Sequence, residues 1–114
     1  MAYDASFGPN GKTVFIASAA VAPTGIQVVS DDNRTSTQYL IWNSDTTNDA
    51  WIGYGDSAAA ATANAVIPTA GNPKGVLCIP HGSAQTFTLK AGLYFSPICS
   101  AGTPGIYITP GAGL

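Results

Sequence analysis

Glycine and proline interrupt this chain so often that no long regular element fits between them. The sequence contains 13 glycines and 8 prolines in 114 residues. Glycine costs conformational entropy inside helices and strands, and proline lacks an amide hydrogen, so both tend to end regular structure. The segments between them are short and rich in valine, isoleucine and threonine, which pack well on a pleated sheet. This pattern predicts many short strands.

The apolar segments recur about every 8–12 residues, which is typical of an antiparallel sandwich or barrel. We therefore expect an all-β protein, an antiparallel β-sandwich forming a jelly roll of eight or nine short strands. One domain is expected over residues 1–114, with a loose N-terminal segment at 1–12 and a C-terminal tail at 110–114. The predicted strands lie at 13–17, 26–30, 38–43, 50–55, 65–67, 76–79, 86–89, 93–96 and 106–109.

Two segments allow a more detailed prediction. The stretch 57–64 contains consecutive alanines but no apolar stripe and no charged face, so we expect an irregular or edge segment there. The strands 38–43 and 50–55 alternate cleanly on either side of a polar connection, which predicts a hairpin. Alternation also places Tyr39 on the opposite face from Trp42, so that one face is core and the other carries an exposed aromatic residue.

The charge content is unusually low and excludes some partners. Charged residues make up 9% of the chain, against about a quarter in an ordinary soluble domain. A surface with so few charges predicts that part of it is buried against a partner. The cations are too few to form the basic patch that nucleic-acid binding needs; they are Lys12, Arg34, Lys74 and Lys90.

The N-terminal residues lack the basic and apolar regions of a signal peptide. No stretch approaches the roughly 20 apolar residues of a membrane span. We therefore expect synthesis in a cytoplasm, and neither a membrane nor a nucleic-acid partner.

Residue types that support catalysis or metal binding are scarce. The single histidine, His81, lies between Pro80 and Gly82 and is expected in a turn. Cys78 and Cys99 are expected to be buried thiols, since a cytoplasm keeps cysteines reduced. A disulfide between them is the alternative, and it would need the two residues on facing or adjacent strands. One histidine and two distant cysteines leave a four-ligand zinc site incomplete. We expect no catalytic residue, no metal and no cofactor.

Three carboxylates near the 44–49 connection leave several interpretations open. Asp45, Asp49 and Asp56 are expected to be solvated turn residues. With Asn43 and Asn48 they could instead ligate calcium, although the spacing of a known calcium loop is absent. An acid/base pair for a small enzyme is the remaining alternative.

Three segments carry short distinctive motifs. The first is the C-terminal strand ending in Thr109-Pro110-Gly111-Ala112-Gly113-Leu114; the others are 40–43 followed by 50–55, and 79–83 leading to Phe87. Together they resemble a family of small virion proteins of tailed bacteriophages. The resemblance implies a capsid decoration (cement) protein: a β-sandwich or jelly roll, often trimeric, that binds the assembled major capsid shell. It implies a structural role on the capsid surface of the virion and no enzymatic activity.

On this interpretation the loops and the tail are the expected contact surfaces. The partners are the major capsid protein and further copies of this chain in a homotrimer. The candidate contacts are Asp31, Asp32, Asn33, Arg34, Asp45, Thr46, Thr47, Asn48, Pro110, Gly111 and Leu114.

The alternative function is a carbohydrate- or receptor-binding module of a phage tail appendage. It would use aromatic side chains of the strands 38–43 and 50–55 as a stacking platform. The candidates are Tyr39, Trp42, Trp51 and Tyr54. Packing in the core or in a protein interface is the simpler explanation for the two tryptophans.

Overall fold

Short alternating segments form nine strands, in a computed structural model that describes residues 7–31 and 36–112. The strands are antiparallel and form two layers, which confirms the expected all-β sandwich. They are β1 (Gly8–Pro9), β2 (Val14–Ala17), β3 (Ile26–Gln27), β4 (Ser36–Asn43), β5 (Ala50–Gly55), β6 (Leu77–Ile79), β7 (Ala84–Lys90), β8 (Tyr94–Ile98) and β9 (Gly105–Ala112). One helix, α1 (Ala58–Asn64), lies between β5 and β6.

The connections pass repeatedly between the two sheets. The first sheet has the order β1-β9-β4-β7, with β2 also pairing to β9, and the second has the order β3-β8-β5-β6. Apart from the step from β5 to β6, consecutive strands from β2 onward lie in opposite sheets. The two sheets are therefore tied together by the chain itself as well as by packing.

The core lies where the inward residues of the two sheets meet. Tyr39 of β4 packs edge-on against Phe95 of β8, with ring centroids 4.9 Å apart. The Tyr39 hydroxyl donates to the carbonyl oxygen of Lys90 at 2.8 Å and accepts from the N–H of Leu93 at 3.3 Å. Burial raises the pKa of Tyr39 above its usual value. Isoleucines complete the core: Ile16, Ile41, Ile52, Ile79, Ile106 and Ile108.

The predicted hairpin between β4 and β5 is wrong. β4 pairs with β7 and β9, whereas β5 pairs with β6 and β8, so the connection 44–49 crosses between the sheets. Asn43, which is fully buried, secures this crossing. Its side-chain amide donates to the carbonyl oxygens of Ile79 at 3.0 Å and Asn48 at 3.1 Å. Alternation within each strand could not distinguish a hairpin from a connection between layers.

The irregular segment predicted at 57–64 is a helix, and the strand predicted at 65–67 does not form. Ser57 caps α1, because its hydroxyl accepts from the N–H of Ala60 at 3.1 Å. The helix packs directly on the backbone of Gly53, where an added Cβ would lie 2.6 Å from the carbonyl oxygen of Ala61. An apolar stripe is unnecessary here, because alanine on glycine allows close approach.

Both predicted chain ends need correction. Gly8 and Pro9 form strand β1 opposite Ala112 and Gly111, so residues 8–9 are not loose. The tail predicted from residue 110 does not begin there, because residues 110–112 belong to β9, which lies inside the first sheet. Residues 1–6 and 113–114 lie outside the described residues.

Candidate functional site

Three aromatic side chains form a row across the outer face of the first sheet. Phe15 of β2 is in register with Tyr107 of β9, and Tyr107 is in register with Trp42 of β4. The ring centroids are 4.9 Å apart for Phe15 and Tyr107, and 5.2 Å apart for Tyr107 and Trp42. We call Phe15, Tyr107 and Trp42 the aromatic row.

The alternation of each strand explains why this row faces outward. Ile16, Ile41 and Ile108 point into the core, so their neighbours in the chain point the other way. The exposed fractions are 52% for Phe15, 44% for Trp42 and 36% for Tyr107. Single exposed apolar residues are common on any surface, whereas three adjacent exposed aromatic side chains form a contiguous patch, which is typical of an interaction site.

A shallow groove runs beside the row. Thr13, Leu40, Ala84 and Thr109 line it together with Trp42 and Tyr107. The hydroxyl oxygens of Thr13 and Thr109 lie 2.8 Å apart and form a hydrogen bond. We call these six residues and Phe15 the aromatic face. None of the seven carries a charge at neutral pH, so the face suits an uncharged partner surface.

The outer face of the second sheet differs, because α1 covers part of it. Gly53 and Gly55 of β5 lie beneath the helix, with Ala60 and Ala61 against their backbones. No helix covers the aromatic face in the described part of the chain. The two sheets therefore present different outer surfaces, and the uncovered one carries the aromatic row.

Among the predicted contacts, those in the 44–49 loop adjoin one end of this face. Ser44 donates to the carbonyl oxygen of Gly105 from its N–H at 3.0 Å and from its hydroxyl at 2.9 Å. Gly105 in turn lies against the ring of Phe15. The loop therefore lies beside the end of the aromatic row at which Phe15 stands; its predicted contacts are Asp45, Thr46, Thr47 and Asn48.

The remaining predicted contacts are not brought to this surface. Pro110 and Gly111 are buried in β9, so the prediction that they contact a partner as part of an exposed tail is wrong. Asp31 is exposed and lines a different groove, beside Lys12 and Val29. Asp32, Asn33, Arg34 and Leu114 lie outside the described residues.

The three carboxylates singled out from the sequence have separate partners. Asp45 accepts from the N–H of Asn48 at 2.7 Å and of Thr47 at 3.1 Å, and these two bonds lower its pKa. Asp56 pairs with Lys90 at 2.9 Å. The described residues contain no cluster of three or more side chains suited to holding a metal.

His81 lies in a turn, as expected, and pairs with Asp49. The backbone N–H of His81 donates to Asp49 at 3.0 Å, and its Nδ1 lies 2.8 Å from the same carboxylate oxygen. The backbone bond is the larger cause of the lowered pKa of Asp49, and the ring adds to it. Both side chains are about half exposed, and the pair joins the 44–49 loop to the turn before β7.

The cysteines are both unbonded, but only one is buried. Cys99 is buried, and its thiol donates to the carbonyl oxygen of Gly102 at 3.3 Å. Cys78 is exposed on β6, contrary to expectation, because its neighbours Leu77 and Ile79 point to the core and Cys78 points away from it.

The four aromatic residues predicted to form a stacking platform do not lie together in the structure. Tyr39 is core, Tyr54 packs against the core, and Trp51 is half-buried in the second sheet. Only Trp42 belongs to the aromatic face. Sequence reasoning missed Phe15 and Tyr107, although the alternation at 13–17 and 106–109 marked both as facing away from isoleucines.

Comparisons with protein-family models, curated proteins and solved structures find no match to this chain. No helix within the described ranges has the length and apolar character needed to cross a membrane.

Proposed function

We propose that this protein is a structural component of a tailed-bacteriophage virion, which binds the assembled capsid shell through its aromatic face. The observation that carries the proposal is the uncovered aromatic row, beside a groove without charges. Tryptophan and tyrosine are enriched among residues that dominate protein interfaces. The three C-terminal and internal segments that resemble phage decoration proteins support the choice of the major capsid protein as partner.

The low charge content supports the same proposal. Only 9% of the residues are charged, which is few for a protein whose surface is fully solvated. Such a composition suits a protein whose surface is largely covered by partners. Binding to the assembled shell, and not to the free capsid subunit, adds the binding free energy to the stability of the shell. The place of action on this proposal is the capsid surface, after synthesis in the host cytoplasm.

The strand order supports assigning the sandwich to the jelly-roll type. Eight strands, β2 to β9, are divided equally between the two sheets, and their connections repeatedly cross between layers. Jelly rolls occur in viral capsid proteins and in lectins. This analogy of fold is compatible with the proposed role but does not by itself choose between shell and sugar binding.

The test adds purified protein back to shells that lack it. Wild-type protein should raise the temperature at which the shells break. Trp42→Ala should weaken binding by at least about tenfold, since interface tryptophans typically contribute about 2 kcal/mol or more. Trp51→Ala is the matched control, because Trp51 lies in the second sheet. The proposal fails if wild-type protein leaves the breakage temperature unchanged, or if both variants bind equally while folded.

A second candidate, carbohydrate binding, is favoured by the geometry of two rings. Trp42 and Tyr107 stack on each other, with 26° between their planes. The exposed part of Trp42 can contact the apolar side of a sugar ring, while the hydroxyls of Thr13 and Thr109 in the same groove can bond to its polar edge. The test uses Trp51→Phe, which leaves Trp42 as the reporter of the two tryptophans. Unchanged fluorescence across a panel of glycans would exclude this candidate.

A further inference from the structure

The edges of the first sheet are unequal. One edge is shared by β1 and β2, which pair with different parts of β9. β1 consists of Gly8 and Pro9, and proline is a common device for closing an edge. The other edge is β7, which has 7 residues and pairs only with β4 among the described strands. β7 is therefore a long edge with one side open.

Nothing within β7 protects this open side. It contains no proline, and it pairs one-to-one with β4 from Ala84 to Lys90, so no bulge twists the edge away. Its single charged residue, Lys90, stands at the end and is paired with Asp56. By contrast, the edge strands β3 and β6 of the second sheet have 2 and 3 residues. Natural proteins usually shorten, charge or cover such an edge.

The sequence of β7 is complementary to itself when two copies run antiparallel. Full overlap of Ala84–Lys90 with a second copy places Phe87 opposite Phe87 of that copy. Thr86 then faces Thr88 of the other chain on the outer side, twice by symmetry. Cross-strand aromatic pairs and threonine pairs are both favourable. Phe87 is half-buried and Thr86 and Thr88 are exposed, so these side chains are accessible for such pairing.

The charges also fit this register. Lys90 faces Ala84 of the second copy, so the two lysines lie at opposite ends of the paired strands. Six residues at about 3.4 Å each separate them by roughly 20 Å. That separation exceeds the Debye length of about 8 Å at physiological ionic strength, so their repulsion is screened.

We propose that two copies of this chain associate through antiparallel pairing of their β7 strands, with Phe87 on the two-fold axis. Such a contact uses the same patch on both chains and closes at two copies, unlike the trimer implied by the phage resemblance. The axis stands perpendicular to the joined sheets, so both aromatic faces point the same way. The dimer thus presents two copies of the aromatic face side by side, which strengthens binding to any repeating surface. The pairing itself does not depend on the proposed shell binding.

The test measures mass by light scattering over a range of concentrations. Because one strand edge buries less than a standard interface, the mass should rise with concentration from 11.5 kDa toward about twice that value. Thr86→Lys with Thr88→Lys places new lysines opposite each other twice and should leave a monomer. Thr86→Lys with Thr88→Asp places a lysine opposite an aspartate twice and should restore the dimer.

Both double variants change only exposed side chains, and circular dichroism checks that they remain folded. A wild-type monomer at every concentration, or a trimer that the double-lysine variant leaves intact, would overturn the proposal. If both double variants are monomers, the proposed register of the two β7 strands is wrong. Trp42→Ala should still dimerise, so a failure of shell binding is distinguishable from a failure of pairing.

Discussion

At the scale of single residues, Asn43 joins parts of the chain that are far apart in sequence. Its amide group donates to Asn48 and Ile79, and its side-chain oxygen accepts from the N–H of Asp45 at 3.0 Å. Asn43 is fully buried, and so is its bond to Ile79, so the carbonyl oxygen of Ile79 cannot simply turn to water if the side chain is removed. Asn43 thereby fixes the loop that adjoins the aromatic face.

Replacing Asn43 should destabilise the protein strongly. Asn43→Ala removes three hydrogen bonds and leaves the buried carbonyl oxygen of Ile79 without this donor, so we expect the free energy of unfolding to fall by about 2–3 kcal/mol. Urea denaturation measures this loss. Asn64→Ala is the control, because Asn64 is exposed and its side chain makes one bond, to the carbonyl oxygen of Tyr54 at 2.9 Å. We expect it to lose under about 1 kcal/mol; similar losses in both variants would contradict this explanation.

The aromatic row shows which residue-scale features are predictable. Alternation in one strand was sufficient to place Trp42 opposite to Tyr39, because a strand has a period of two. The alternation within each strand does not show that Phe15 and Tyr107 lie beside Trp42. That meeting depends on the registers of β2 with β9 and of β9 with β4, which join segments far apart in the chain.

At the scale of elements, α1 shows why propensity and amphipathicity were insufficient. Its alanines favour a helix, but isolated helices this short are unstable, so packing decides whether they form. The packing surface is the bare backbone of Gly53 and Gly55 in β5. Glycine within a strand ordinarily makes the strand less stable, yet here the two glycines leave the space in which the helix lies.

A side chain at position 53 should therefore displace α1. An added Cβ would lie 2.5 Å from the backbone nitrogen of Ala65, and backbone atoms cannot move aside as a flexible side chain can. We expect Gly53→Ala to lower the free energy of unfolding by about 1–3 kcal/mol, as overpacking generally does. Thermal unfolding followed by circular dichroism provides the measurement.

Gly75→Ala is the matched control for this prediction. An added Cβ at Gly75 meets nothing within 4 Å, and the substitution should be nearly neutral or slightly stabilising. Equal unfolding temperatures for the variants at positions 53 and 75 would show that α1 does not depend on close approach to β5.

At the scale of the whole molecule, acid stability depends on few groups. The chain has six acidic residues, and the pKa values of Asp45 and Asp49 are both lowered in the folded state, chiefly by backbone N–H donors. A lowered folded-state pKa contributes stability above the unfolded value of about 3.9, and this contribution disappears as the pH falls through the folded value. Both carboxylates hold the loops beside the aromatic face.

The unfolding temperature should thus be steady from neutral pH to about pH 5 and should fall below about pH 4. A variant with Asp45→Asn and Asp49→Asn should unfold at a lower temperature at pH 7 but lose less on acidification. Calorimetry across this pH range measures both profiles. Parallel profiles would show that other groups determine the response to acid.

The position of β9 in the first sheet has a consequence for synthesis of the protein. β9 pairs with β1, β2 and β4 but is synthesised after all three, so these strands cannot complete their pairing until β9 has been made. Until residue 112 has left the ribosome, β4 lacks a neighbour and β2 has none to pair with. A nascent chain thus exposes open strand edges until β9 emerges, which is the condition in which unfinished β proteins aggregate. A chain cut off shortly before residue 105 would leave β1 and β2 without their partner strand and β4 with β7 alone.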